Sequence, residues 1–114
     1  MTIYFANPEL EEYANDERLC KRKLGAVQAN IFYKRLDQLR NAQTLEDVRY
    51  LPGRFHELSG DRKGQWACDL QQPNRLIFEP TEKPIPTSEA GVFIWLEIES
   101  VDITEIVNYH GKGY

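Results

Sequence analysis

The 114-residue chain is long enough to bury one hydrophobic core and too short for two. A composition of 41% hydrophobic and 28% charged residues excludes disorder and collagen-like repeats, and the longest strongly apolar run, VFIWL, falls far short of the roughly 20 residues that span a bilayer. A net charge of −4 argues against simple nonspecific nucleic-acid binding, which depends on neutralising phosphates.

The opening MTIYFANPELEE turns acidic where a secretory leader would be apolar, so no cleaved segment and a cytoplasmic location are expected. TIYFA is short and β-prone. Asn7-Pro8 then reads as a helix start, with Asn as cap, Pro in the first turn and acids placed favourably for the helix dipole. Asp16-Glu17 opens a second helical stretch. In LGAVQANIFYKRLDQLRNA, Leu24, Val27 and Ile31 form one apolar row and Phe32, Leu36 and Leu39 another, which predicts a long helix. Gly25 is a possible break within it.

Thr44 and Asp47 form an acidic variant of the capping box, so TLEDVRYL reads as a short helix ended by Pro52-Gly53. The period then changes. RFHEL, QWACDL and NRLIFEP are β-type segments separated by turn residues, and Trp66, Cys68 and Leu70 alternate as in a half-buried strand. Residues 80–91 read as a mobile loop, VFIWLEI is too short to assign, and SVDITEIVNYH alternates well enough for a last strand. This order predicts a compact single α+β domain: an antiparallel sheet with N-terminal helices packed on one face.

Cys20 and Cys68 are far apart, with no CxxC and no neighbouring histidine, so two partly buried free thiols and neither metal nor cofactor are expected. The remaining chemistry gathers in the third quarter of the chain. Residues 49–75 are its only net basic segment, at +2. His56 precedes a glycine-bracketed turn carrying Arg62 and Lys63, and His110 follows Tyr109 at the end of the last strand. Each histidine alone is more often a strand-end residue than a catalyst, and paired cations at a tip are more often a solvated turn. Arg75 opens a strand where a long polar side chain is not needed for packing. It suits either a phosphate, held by its planar fork, or an ion pair with a carboxylate such as Asp69.

Such a set fits RNA cleavage by the 2′-hydroxyl: a base removes the 2′ proton, the oxygen attacks phosphorus, and an acid protonates the departing 5′ oxygen. Imidazoles titrating near neutrality would serve as acid and base, and cationic donors would stabilise the phosphoryl charge. Tyr109 could stack on a base or hold the phosphate, although a strand-end aromatic is more often core.

LPGRFHELSGDRKGQWACDLQQPNRLIFEP and the closing EIVNYHG resemble the HigB-type branch of the RelE/ParE toxin superfamily, the plasmid-maintenance killer proteins. ERLCKRKLG before a long helix fits the same group, and the resemblance spans the chain except around residues 80–94. It implies a RelE/ParE-like fold and the toxin half of a type II toxin–antitoxin pair: a metal-independent endoribonuclease that cuts mRNA on the ribosome and is neutralised by a helix-turn-helix antitoxin. Membranes have no part in it. His56 and His110 would be the acid–base pair, Arg75 would bind the scissile phosphate and Tyr109 would orient the nucleotide. Arg54, Arg62, Lys63 and Asn108 would contact RNA. Asn108 stands where the family often has Asp, and Ser59 where many relatives have Lys. A second reading is a non-catalytic protein on the same scaffold, such as a contact inhibitor of DNA gyrase or an antitoxin-partnering co-repressor.

Overall fold

A computed structural model describes residues 1–108. In chain order it contains β1 (Thr2–Phe5), α1 (Pro8–Asn15), α2 (Glu17–Leu24), α3 (Ala26–Asn41), α4 (Leu45–Val48), β2 (His56–Glu57), β3 (Trp66–Asp69), β4 (Asn74–Pro80) and β5 (Ser100–Asn108). The strands form one sheet in the order β1-β5-β4-β3-β2. Neighbours from β2 to β5 are antiparallel, as expected, but β1 runs parallel to β5. The sheet is therefore mixed, because the helices α1 to α4 carry the chain back across one face before the later strands form.

The helix boundaries have local causes. The Asn7 side chain accepts from the Glu9 and Leu10 amides, and that of Asp16 from the Leu19 amide, which relieves the unpaired donors of a first turn. Gly25 does break the long helical stretch: with φ +84 it ends α2 and starts α3. The Thr44–Asp47 capping box is formed, but α4 stops at Val48.

The core lies between the helices and one sheet face. Phe32, Leu36 and Leu39 of α3 are fully buried with Trp66, Cys68, Leu76 and Phe78 of the sheet. Each such side chain is worth roughly 1.5–3 kcal/mol relative to exposure. The other expected row is only partly inside: Leu24 and Ile31 pack at the core margin, whereas Val27 is 58% exposed. Both cysteines are free and fully buried, deeper than expected. Residues 81–94 form a loop tied down by a bridge between Thr87 and Phe93, with Ile85 and Phe93 packed on the core. The unassigned VFIWLEI contains a 3-10 turn, Trp95–Glu97.

A bulge determines which side chains the far end of the sheet presents. Ile77 pairs with Glu105 while the next residue, Phe78, pairs with Ile103, so Thr104 is extra. Its hydroxyl donates to the Ile77 carbonyl at 3.1 Å. Before the bulge Val101 and Ile103 face the core, and beyond it Ile106 does, so Glu105 and Val107 turn to the opposite, outer face.

Candidate functional site

The outer face can be read from register. His56, Ala67, Ile77 and Glu105 form one row across β2 to β5, and Asp69, Arg75 and Val107 form the next. Leu58, Ala67, Ile77 and Val107 make a small apolar floor there, separate from the main core. His56 and Arg75 thus share a face. Two strand spacings and two residues of strand rise place their backbones roughly 12 Å apart, close enough for both long side chains to reach one phosphodiester.

The His56 ring is oriented by its own turn, with Nδ1 2.7 Å from the Arg54 carbonyl oxygen. A carbonyl only accepts, so Nδ1 is the nitrogen that carries the proton in this contact. Arg54 adopts φ +53, the only left-handed non-glycine among the described residues, and follows Gly53 at φ +114. Such a backbone costs roughly 1–3 kcal/mol and persists only where the surroundings impose it. Here Arg35 of α3 imposes it, lying against Gly53 and donating from Nε to the Asp69 carbonyl at 2.7 Å. The Asp69 amide in turn donates to the Gly53 carbonyl at 2.8 Å.

Asp69 is the centre of this arrangement. Its Oδ1 lies 3.0 Å from Arg75 Nε and its Oδ2 3.7 Å from Arg54 Nη1. The carboxylate and the Arg75 side chain are only 14% and 13% exposed, whereas Arg54 is 66% exposed. The inner contact is close but poorly aligned: among the described residues the buried Oδ1 has no hydrogen-bond donor. Arg75 Nη1 donates to the Gln72 side chain and to the Pro73 and Asn74 carbonyls. Of the two roles that the sequence leaves open for Arg75, the ion pair with Asp69 is therefore the one formed.

The other cations are also engaged. Arg62, expected on a solvated turn, has a side chain only 26% exposed and bridges Gln65 at 3.0 Å and Glu105 at 3.2 Å. Residues 60–62 form a 3-10 turn rather than a simple hairpin tip, and this brings Arg62 back over the sheet. Lys63 lies 5.5 Å from the Phe93 ring centre, which helps hold the 81–94 loop. Asn108 closes the described part of β5. It pairs in register with Asn74, whose side chain meets Gln28 of α3, so it stands on the helix side rather than with Arg75. Tyr109 and His110 lie outside the described residues.

Sequence reading missed a second network at the edge. Arg49 pairs with Glu46 at 2.8 Å and Glu57 at 2.7 Å and lies 4.8 Å from the Trp66 ring centre, while Trp95 Nε1 donates to Glu57. The hydrogen bond that Arg49 donates to Glu46, with that to Glu57, raises its pKa further above its ordinary value although burial lowers it. This network clamps α4, β2 and the Trp95 turn together. Only the i,i+3 spacing of Glu46 and Arg49 could have signalled it, since Glu57, Trp66 and Trp95 come from distant segments.

A groove of about 450 Å³ beside α1 and α2 is lined by Glu11, Glu12 and Asp16, a charge unsuited to phosphate. Among the described residues, no group of three or more His, Cys, Asp and Glu side chains could hold a metal ion, and no helix is long and apolar enough to cross a membrane. Neither the protein-family models nor the curated proteins contain a match to this chain.

Proposed function

We propose that this chain is the toxin half of a type II toxin–antitoxin pair, a cytoplasmic endoribonuclease of the HigB type acting on mRNA at the ribosome and held inactive by a helix-turn-helix antitoxin. The observation that carries this reading is His56, with Nδ1 held by the Arg54 carbonyl, on the same sheet face as Arg75. In the proposed reaction His56 Nε2 takes the 2′ proton, and the new bond forms between the 2′ oxygen and phosphorus. His110 protonates the departing 5′ oxygen. Arg75 and Arg54 balance the charge that builds on the phosphoryl oxygens, and Tyr109 orients the nucleotide.

The test is induction of the chain without its partner, with sequencing of messenger 5′ ends. Wild type is expected to arrest growth and generate new ends, and His56→Ala and His110→Ala to remain folded without doing either. Equal arrest by both alanine variants would refute the acid–base assignment.

The engagement of Arg75 by Asp69, Arg62 by Glu105 and Lys63 with Phe93 favours a second reading, a non-catalytic inhibitor or co-repressor on this scaffold. Growth arrest without new messenger ends would select it.

A further inference from the structure

The Asp69 carboxylate lies on the outer face, where Gln72 Nε2 donates to its Oδ2 at 3.2 Å. Three arginines converge on this residue, Arg35 at its carbonyl and Arg54 and Arg75 at its side chain. Among the described residues its inner oxygen nevertheless lacks an aligned donor. Arg75 is fixed at Nε and Nη1, while Nη2 has no hydrogen-bond partner among the described residues. Arg54 reaches the same carboxylate from an exposed, left-handed position. Two guanidinium groups around one carboxylate leave a net charge of about +1 where a pair alone would present +2.

We propose that Asp69 is a resident anion in a phosphate-binding site formed by Arg54 and Arg75, and that it sets the site's affinity by competing with the ligand's phosphate for these two guanidinium groups. This deepens, and rests on, the proposed RNA-directed role of the same face. A carboxylate and a phosphate offer the same paired-oxygen geometry to arginine. An incoming phosphodiester would meet the exposed Arg54 first and then Arg75 Nη2 while the poorly aligned Asp69 contact loosens. A purely structural Asp69 would instead hold the arginines ready, and its loss would weaken binding.

The two possibilities have opposite signs in Asp69→Asn. This change keeps the side-chain shape and the backbone hydrogen bond to the Gly53 carbonyl while removing the charge. Binding is measured with inorganic phosphate and with a single-stranded 2′-O-methyl RNA oligonucleotide, which the 2′-hydroxyl reaction cannot cleave. Asp69→Asn is expected to tighten both by about fivefold and to steepen the oligonucleotide's salt dependence by roughly 0.7 in log–log slope. Adding Arg75→Ala should abolish the gain. Unchanged or weaker phosphate binding by Asp69→Asn, or a gain that survives Arg75→Ala, overturns the proposal. Tighter phosphate with no binding of the oligonucleotide by either form would support the anion site and refute the RNA reading. In the unaltered chain, NMR signals of the Arg75 Nε–H and the Asp69 carboxyl carbon should shift with one midpoint as phosphate is added. Movement of Arg75 without Asp69 also overturns the proposal, whether or not the variant folds.

Discussion

Gly53→Ala tests how the Arg54 turn is held. A Cβ at Gly53 would lie 2.7 Å from both Cζ and Nε of Arg35, on a backbone with φ +114. The backbone alone costs an alanine roughly 1–3 kcal/mol. A flexible arginine could swing aside at little cost, but this one donates to the Asp69 carbonyl at 2.7 Å and the Gln38 side chain at 3.0 Å. Moving it leaves a part-buried carbonyl without its donor, about 1–3 kcal/mol more. The total is roughly 2–6 kcal/mol. Gly25→Ala is the control, since at φ +84 a Cβ meets nothing within 4 Å and only the backbone strain remains. Urea denaturation followed by the fluorescence of Trp66 and Trp95 measures both. Gly53→Ala should be the more destabilised by about 1–3 kcal/mol, the Arg35 contribution, and this excess should vanish in an Arg35→Ala background. Equal losses for the two glycine variants in the unaltered background would refute the role assigned to Arg35.

Leu36→Ala should cost about 2–5 kcal/mol because it opens a cavity in the packed core, whereas Val27→Ala should change the urea midpoint little because Val27 is largely exposed. Arg49→Ala should lose about 1–2 kcal/mol through its ion pairs and its contact with Trp66, and Arg49→Lys should recover only part, as an ammonium lacks the planar fork. Burial raises the Cys68 thiol well above its ordinary 9.0 and the Tyr33 hydroxyl from 10.0 to about 12. The native state therefore keeps protons that the unfolded chain releases: stability is fully present below about pH 9 and declines as pH rises beyond it. Urea midpoints across that range should show this decline, and Cys68→Ala should make it shallower. Both thiols should react with a disulfide reagent only on unfolding, measured as release of its chromophore.

Local sequence determined the elements whose causes are local. Asn7, Asp16 and Thr44 announce helix starts through their own side-chain hydrogen bonds, Gly25 announces a break, and NRLIFEP coincides with β4 residue for residue. Alternation placed Trp66, Cys68 and Leu70 on the core side, and all three are buried there. These signals depend on neighbours within four residues, so they survive without knowledge of the fold.

The remainder was decided by contacts between distant segments. Val27 repeats with helical period but sits beyond the edge of the covered stripe. β1 joins the sheet parallel to β5 only because the helices return the chain in that direction. The extra residue at Thr104 reverses the alternation of β5, so Glu105 meets Arg62 outside while Asn108 stands opposite Asn74 on the helix side. Most consequential for function, Arg75 suited either a phosphate or a carboxylate by its chemistry alone. Cross-strand register places Asp69 directly opposite it, and proximity in a partly buried site makes that carboxylate its resident partner.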